Sequence, residues 1–108
     1  MLNVVNGKVV GFNNGLYIGR TNAKYGVKKS ILHNPFTIGP DGPRKEVIQL
    51  FREYLWKCIQ SKNVVYDELI KLANIEHNLN LICYCKPQAC HGDEIVKAVE
   101  WIKKQQII

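Results

Sequence analysis

Reactive side chains are most concentrated in one segment near the carboxyl end of the chain. It reads Cys83-Tyr84-Cys85-Lys86-Pro87-Gln88-Ala89-Cys90-His91-Gly92-Asp93. The apolar run at 81–85 predicts a buried strand, and a helix is predicted from about residue 90, so the segment joins a strand end to a helix start. Ligands of α/β sheets bind at this edge. A helix N-terminus also holds anions through its N–H groups and lowers the pKa of a thiol.

Three interpretations of this segment remain open. In the first, Cys85 or Cys90 is a nucleophile or ligand contact in an anion pocket, with Asp93 as acid, base or hydroxyl binder. In the second, Cys83, Cys85, Cys90 and His91 bind zinc, although the spacing lacks the paired C-x-x-C clamps of common zinc modules. In the third, the cysteines are small buried hydrophobic residues and His91 makes a hydrogen bond at the helix end.

The charge of the chain is placed unevenly. The 108 residues include 15 Lys and Arg against 9 Asp and Glu, a formal charge of +6. The first forty residues hold five basic side chains and no acidic one: Lys8, Arg20, Lys24, Lys28 and Lys29. Such a segment attracts phosphates, nucleotides or nucleic acid. Few aromatic residues alternate with these cations, so the sequence does not predict a stacking platform for single strands.

Length and composition limit the class of protein. A chain of 108 residues with 46% hydrophobic residues is typical of one folded domain and argues against disorder. No apolar stretch approaches the ~20 residues that span a membrane. The N-terminus lacks the pattern of a secretory signal, which predicts a cytoplasmic protein with reduced cysteines.

The elements that must position the reactive segment begin with a predicted hairpin. Strands are expected over 8–12 and 16–20, joined by Asn13-Asn14-Gly15, because Asn-Gly is a strong hairpin turn signal. Residues 21–43 are rich in Gly and Pro and are expected to form a long loop. Loops of that length in small domains are usually functional or mobile.

Helical periodicity governs the rest of the chain. Helices are predicted over 43–60, 65–73 and 90–105, with the strand 81–85 before the last of them. The expected inward residues are Val47, Phe51, Tyr54, Leu55, Cys58, Leu69, Leu72, Ile95, Val99 and Ile102. The order predicts a small, single-domain, layered α/β fold over residues 1–108, Rossmann-like, with a mixed sheet, an N-terminal hairpin and flanking helices.

Several short motifs together are similar to a known family. The chain carries Tyr17-Ile18-Gly19-Arg20, then Asn34-Pro35-Phe36, then Tyr54-Leu55 in a helix, then the segment 83–93 ending in Cys-His-Gly-Asp. In this order, over residues 16–100, they resemble the domain of unknown function 4326 family. The chain departs from the family pattern at Tyr84, where tryptophan is common, and at Gly42-Pro43, where a small hydroxyl residue often precedes the helix.

The resemblance implies a bacterial or phage source and a common site for motifs that are distant in sequence. An arginine, an amide, a thiol, an imidazole and a carboxylate around a helix N-terminus would suit a nucleotide-like or other phosphorylated small molecule. The predicted catalytic residues are Cys85, Cys90, His91 and Asp93. The predicted ligand-binding residues are Tyr17, Gly19, Arg20, Asn34, Pro35 and Lys86. An enzyme of this kind would be a transferase or hydrolase with Cys85 or Asp93 reactive and Arg20 stabilising negative charge.

Structural roles are also open for these residues. Arg20 could pair with a surface carboxylate, Asn34 could form an Asx turn before Pro35, and Asp93 could favour the first helical turn through the helix dipole. The alternative function is a non-catalytic module that binds nucleic acid or protein through the basic N-terminal forty residues. No cofactor or metal is predicted in the leading interpretation, and the oligomeric state is left open.

Overall fold

A sheet of three parallel strands forms the base of the protein in the computed structural model, which describes residues 1–106 apart from Cys85 and Pro87. The strands are β1 (Leu2–Asn6), β2 (Leu16–Tyr17) and β3 (Leu79–Cys83), and their order in the sheet is β1-β3-β2. The central strand β3 is paired at both of its edges, and its second half is apolar and buried. All three strands therefore direct their carboxyl ends to the same edge of the sheet.

Four α-helices accompany the strands in the described part of the chain. They are α1 (Gly7–Val10), α2 (Arg44–Ser61), α3 (Val64–Ala73) and α4 (His91–Gln106). The helices α2, α3 and α4 pack on one another, and α4 also contacts β1. The predicted inward residues are buried, except that Tyr54 is half-buried. The small α/β class is confirmed, and none of the described helices is long and apolar enough to cross a membrane.

The predicted N-terminal hairpin is wrong. Residues 8–12 do not form a strand, because Gly7–Val10 is a helical turn whose start is capped by the Asn6 side chain. The segment 16–20 is strand only over Leu16–Tyr17, and it pairs in parallel with β3. The described strands therefore form a parallel sheet and not the mixed sheet expected.

A close approach of two strands explains why Asn-Gly does not make a hairpin here. A Cβ on Gly15 would overlap the backbone carbonyl of Asn80 in β3. The Asn80 amide also donates to the carbonyl oxygen of Asn14, 3.2 Å away. The glycine thus lets β2 reach the central strand, and its partner lies sixty-odd residues away in the chain.

The strand that the sequence analysis missed, β1, anchors the segment that follows β3. The side-chain nitrogen of Asn6 donates to the carbonyl oxygens of Tyr84 and Lys86, at 3.1 and 2.8 Å. Its side-chain oxygen accepts from the backbone N–H of Lys8. One amide therefore fastens the end of β1, the start of α1 and the turn after β3.

A salt bridge ties the helix α4 to α2. The Arg52 guanidinium donates through two nitrogens to the carboxylate of Glu94, at 3.0 and 3.1 Å. Glu94 is buried, and Lys97 adds a further contact at 3.6 Å. Because the carboxylate is removed from water, this pair holds the two helices in a single orientation.

Replacing Asn6 by aspartate tests the anchoring role of this amide. Asn6→Asp keeps an oxygen that can accept from Lys8 but removes both donors and faces two carbonyl oxygens with negative charge. We expect a loss of about 1–3 kcal/mol in the free energy of unfolding, measured by urea denaturation. Asn3→Asp makes the same change at an exposed position of β1 and should have little effect. Equal stabilities of the two variants would contradict the anchoring role.

Candidate functional site

Three motifs that are distant in sequence meet around one cavity at the carboxyl edge of the sheet. The cavity has a volume of about 330 Å³. Its walls include Gly19 and Arg20 after β2, Asn34 in the long loop, and Cys90 and His91 at the start of α4. The structure thus brings together half of the predicted site residues. Cys85, a predicted catalytic residue, lies outside the described residues.

The remaining predicted residues take other positions. Tyr17, Pro35, Lys86 and Asp93 are absent from the described walls of the cavity. They lie beside it in sequence and in space, and three of them hold the backbone segments that form the walls. Their contacts are described below.

An apolar wall closes one side of the cavity. Its side chains come from the long loop and from the first turns of α2: Phe36, Ile38, Val47 and Ile48. Phe36 packs edge-on against Tyr54 of α2, with ring centroids 6.3 Å apart. This contact fixes the loop against the helix, so the wall is preformed.

Arg20 holds the Asn-Pro-Phe loop in place. Its Nε and Nη2 donate to the carbonyl oxygen of Asn34, at 3.1 and 2.8 Å, and Nη2 donates to the carbonyl oxygen of Phe36 at 2.6 Å. Within the described residues, Nη1 makes no hydrogen bond. Arg20 therefore organises the loop through Nε and Nη2. It also brings the positive charge of its guanidinium to the cavity wall.

Asn34 shapes the same loop. Its side-chain oxygen accepts from the backbone N–H of Phe36 at 2.9 Å, which is an Asx turn around Pro35. The structural role left open for Asn34 is therefore present, together with its place in the cavity wall. Pro35 is exposed at the tip of this turn.

Arg44 is a cavity residue that the sequence analysis missed. It is the first residue of α2, it lines the cavity, and its Nη1 donates to the carbonyl oxygen of Ala89 at 3.0 Å. Arg44 is not among the inward residues that helical periodicity predicts for α2, so the pattern gave no reason to select it. The contact with Ala89 depends on how α2 lies against the turn before α4, and no local signal reports that.

The His91 imidazole links the start of α4 to the end of β2. Its Nε2 lies 2.8 Å from the carbonyl oxygen of Ile18. Because a carbonyl oxygen only accepts, Nε2 carries the hydrogen, and Nδ1 of the neutral ring is an acceptor. Burial lowers the pKa of His91 below its ordinary value of 6.5, and the positive charge of Arg20 acts in the same direction. His91 is therefore neutral at pH 7.

Cys90 lies against the acceptor side of that ring. Its Sγ is 3.6 Å from Nδ1 of His91 and 3.4 Å from the backbone nitrogen of Gly92, which donates to it. The sulfur thus sits at the N-terminus of α4 with a base beside it. The Cys90 side chain is buried, 1% exposed, and lines the cavity.

Asp93 and Lys86 close the turn that precedes α4. The Asp93 carboxylate bonds to Nζ of Lys86 at 2.8 Å and accepts from the backbone N–H of Cys90 at 3.3 Å. The hydrogen bond to Asp93 raises the pKa of Lys86 above its ordinary value. The carboxylate of Asp93 thus satisfies the backbone N–H of Cys90 at the helix start, where N–H groups have no carbonyl partner within the helix. Both side chains therefore position the turn that carries Cys90.

The hydroxyl of Tyr17 supports the chain where it leaves β2. It donates to the carbonyl oxygen of Arg20 and lies 2.9 Å from the hydroxyl of Tyr84. Burial and the neighbouring Tyr84 raise the pKa of Tyr17. Gly19 allows this arrangement, since a Cβ there would overlap the Tyr17 ring.

In the part of the chain that the structure describes, no group of three or more His, Cys, Asp or Glu side chains could hold a metal ion. One of the four cysteine and histidine ligands considered for zinc, Cys85, is outside that part.

The neutral state of His91 makes stability depend on pH. The unfolded chain binds a proton near pH 6.5 and the folded chain only at lower pH, so the contribution is complete above about pH 6.5 and is lost as the pH falls. We expect the free energy of unfolding to decrease on acidification, by at most ~1.4 kcal/mol per pH unit from this group. His91→Gln keeps a donor for Ile18 and should remove this part of the dependence. His77→Gln, at an exposed position, should keep this part of the pH dependence. Identical profiles of the urea midpoint against pH in the two variants would show that the dependence does not come from His91.

Comparison with known proteins identifies a family for the chain. No curated protein and no solved structure matches the chain significantly. Residues 3–101 match the model of a family described as "Domain of unknown function (DUF4326)". The resemblance carried by the Gly-Arg, Asn-Pro-Phe and Cys-His-Gly-Asp motifs is thereby confirmed, and the chain belongs to the DUF4326 family.

Proposed function

We propose that the cavity binds a small phosphorylated molecule of the nucleotide class. The observation that carries the proposal is the charge of the cavity. Among its described wall residues, two are arginines, Arg20 and Arg44, and none carries a carboxylate. A cavity with positive charge and no acidic group favours an anion.

The hydrogen-bonding groups suit phosphate in particular. Planar guanidinium groups present several N–H donors to phosphate oxygens, and those of Arg20 and Arg44 are already oriented by carbonyl partners. The start of α4 adds the partial positive charge of a helix N-terminus at the same wall, since His91 is its first residue.

The apolar wall suits the rest of such a ligand. Phe36, Ile38, Val47 and Ile48 offer surface to a planar or aliphatic group next to the charged side. A volume of about 330 Å³ is at the lower end of the range for ligand sites. A compact molecule with one apolar and one anionic end, as in a mononucleotide, matches both walls.

Calorimetric titration with a panel of ligands tests the proposal. The panel contains nucleoside mono-, di- and triphosphates, inorganic phosphate, and the nucleosides without phosphate. We expect binding heat with phosphorylated compounds and much weaker binding of the nucleosides. A folded sample that gives no heat with any phosphorylated compound, or that binds nucleoside and nucleotide equally, would refute the proposal.

Substitution of Arg44 gives the matched test. Arg44→Gln should weaken nucleotide binding about tenfold or more, because a charged hydrogen bond contributes ~1.5–3 kcal/mol. Lys57→Gln removes the same charge from an exposed position on α2 outside the cavity and should leave the affinity unchanged. A parallel loss in both variants would indicate a general charge effect and not a site.

A further inference from the structure

Four aromatic rings from separate parts of the chain form one cluster beside the cavity. Phe12 stacks on Tyr25 with centroids 4.7 Å apart and planes inclined by 30°. Tyr84 lies 5.5 Å from Phe12 and 5.9 Å from Tyr25, and Tyr17 lies 5.8 Å from Tyr84. All four side chains are half-buried, so part of the cluster reaches solvent.

Two lysines lie over the rings. Nζ of Lys8 is 5.8 Å from the centroid of Tyr84, and Nζ of Lys24 is 5.5 Å from that of Tyr25. Both lysines are exposed. The cluster and its two cations, hereafter the ring surface, come mostly from the first forty residues, which contain no acidic side chain.

We propose that the ring surface binds single-stranded nucleic acid. Bases stack on Tyr25 and Tyr84, and the phosphates between them pair with Lys24 and Lys8. Aromatic faces accept any unpaired base, and adjacent cations follow the backbone, which is the arrangement that binds single strands with little sequence preference. The bases of a duplex are already stacked on each other, so a duplex gains only the charge contacts.

Packing beneath the rings prepares them for this role. Phe12 lies directly on Gly7, where a Cβ would overlap the ring. Tyr25 is held in a short 3₁₀-helix, Ala23–Tyr25, whose start is capped by Asn22 and which ends at Gly26 in a left-handed conformation, φ 66°. The rings are therefore fixed before a ligand arrives, which lowers the entropy cost of binding.

The proposal goes beyond the binding of a small ligand in the cavity, and of the ring-surface residues only Tyr84 also belongs to the described walls of the cavity. Lys8, Lys24 and Tyr25 do not belong to the described walls of the cavity. Variants at these positions therefore test the ring surface alone, and failure here leaves the cavity proposal standing.

Fluorescence anisotropy with a labelled oligothymidylate measures the binding. Tyr25→Leu removes the ring but keeps an apolar side chain, and we expect affinity to fall about tenfold, within the range known for loss of one stacked base. Tyr25→Phe should bind as the native protein does. Trp101→Leu removes an exposed aromatic ring outside the ring surface and should also leave affinity unchanged.

Salt dependence separates stacking from charge. Lys24→Gln should reduce the slope of log affinity against log salt by about 0.7, the value for one phosphate contact on a single strand. Tyr25→Leu should leave that slope unaltered while lowering affinity at every salt concentration. If Tyr25→Leu does not fold, as judged by circular dichroism, the double variant Lys8→Gln with Lys24→Gln decides, with an expected loss in slope of about 1.4.

Several results would overturn the proposal. One is that the folded protein does not bind the oligonucleotide, or binds a duplex of the same length with equal affinity. Another is that Tyr25→Leu and Trp101→Leu lose the same affinity for the oligonucleotide. A third is that the lysine variants keep the native slope of log affinity against log salt. Preferential binding of anionic phospholipid vesicles over the oligonucleotide would also overturn it, since it would assign the same charges to a membrane surface.

Discussion

The hydrogen bond from His91 to the carbonyl oxygen of Ile18 is the contact on which the site depends. It joins residues 73 positions apart, the start of α4 and the end of β2, over 2.8 Å. Because the bond fixes the hydrogen on Nε2, it turns the acceptor nitrogen of the ring toward Cys90. Gly92 makes the contact possible, since a Cβ there would come within 2.8 Å of Val4 and 2.9 Å of Ile18. Without that close approach, the wall formed by α4 and the wall formed by Arg20 would not enclose a common space.

The parts of the fold set by local patterns were predictable, and the parts set by distant pairing were not. The helices α2, α3 and α4 follow apolar periodicity, and their inward residues, such as Phe51, Leu69 and Ile95, are buried as expected. The hairpin failed because Asn-Gly is a local signal, whereas the position of β2 is decided by Gly15 against Asn80. The strand β1 was missed because Leu2–Asn6 has no alternating pattern and is only partly buried. Its identity depends on pairing with β3.

The same distinction between local patterns and distant contacts applies to the residues of the site. Motif order placed Arg20, Asn34, Cys90 and His91 in one neighbourhood, and they do line one cavity. Individual roles were less accessible, because they depend on where partners lie in space. Asp93 bonds to Lys86 and to the backbone of Cys90, and Arg44 reaches Ala89 across 45 positions. The ring surface could not be predicted from the sequence for the same reason. Its four rings come from separate segments, so no run of sequence alternates aromatic and basic residues.

Tyr84 connects the two proposed sites. It is a wall residue of the cavity and a member of the ring surface, with Lys8 over its ring. A nucleotide in the cavity and a base on the ring surface would therefore approach the same side chain from two directions. Tyrosine is well suited to this position, since its ring offers a stacking face while its hydroxyl stays with that of Tyr17, 2.9 Å away. A tryptophan in its place would keep the stacking face but not the hydroxyl. The hydroxyl pair therefore depends on tyrosine at position 84, whereas the stacking face needs only an aromatic ring.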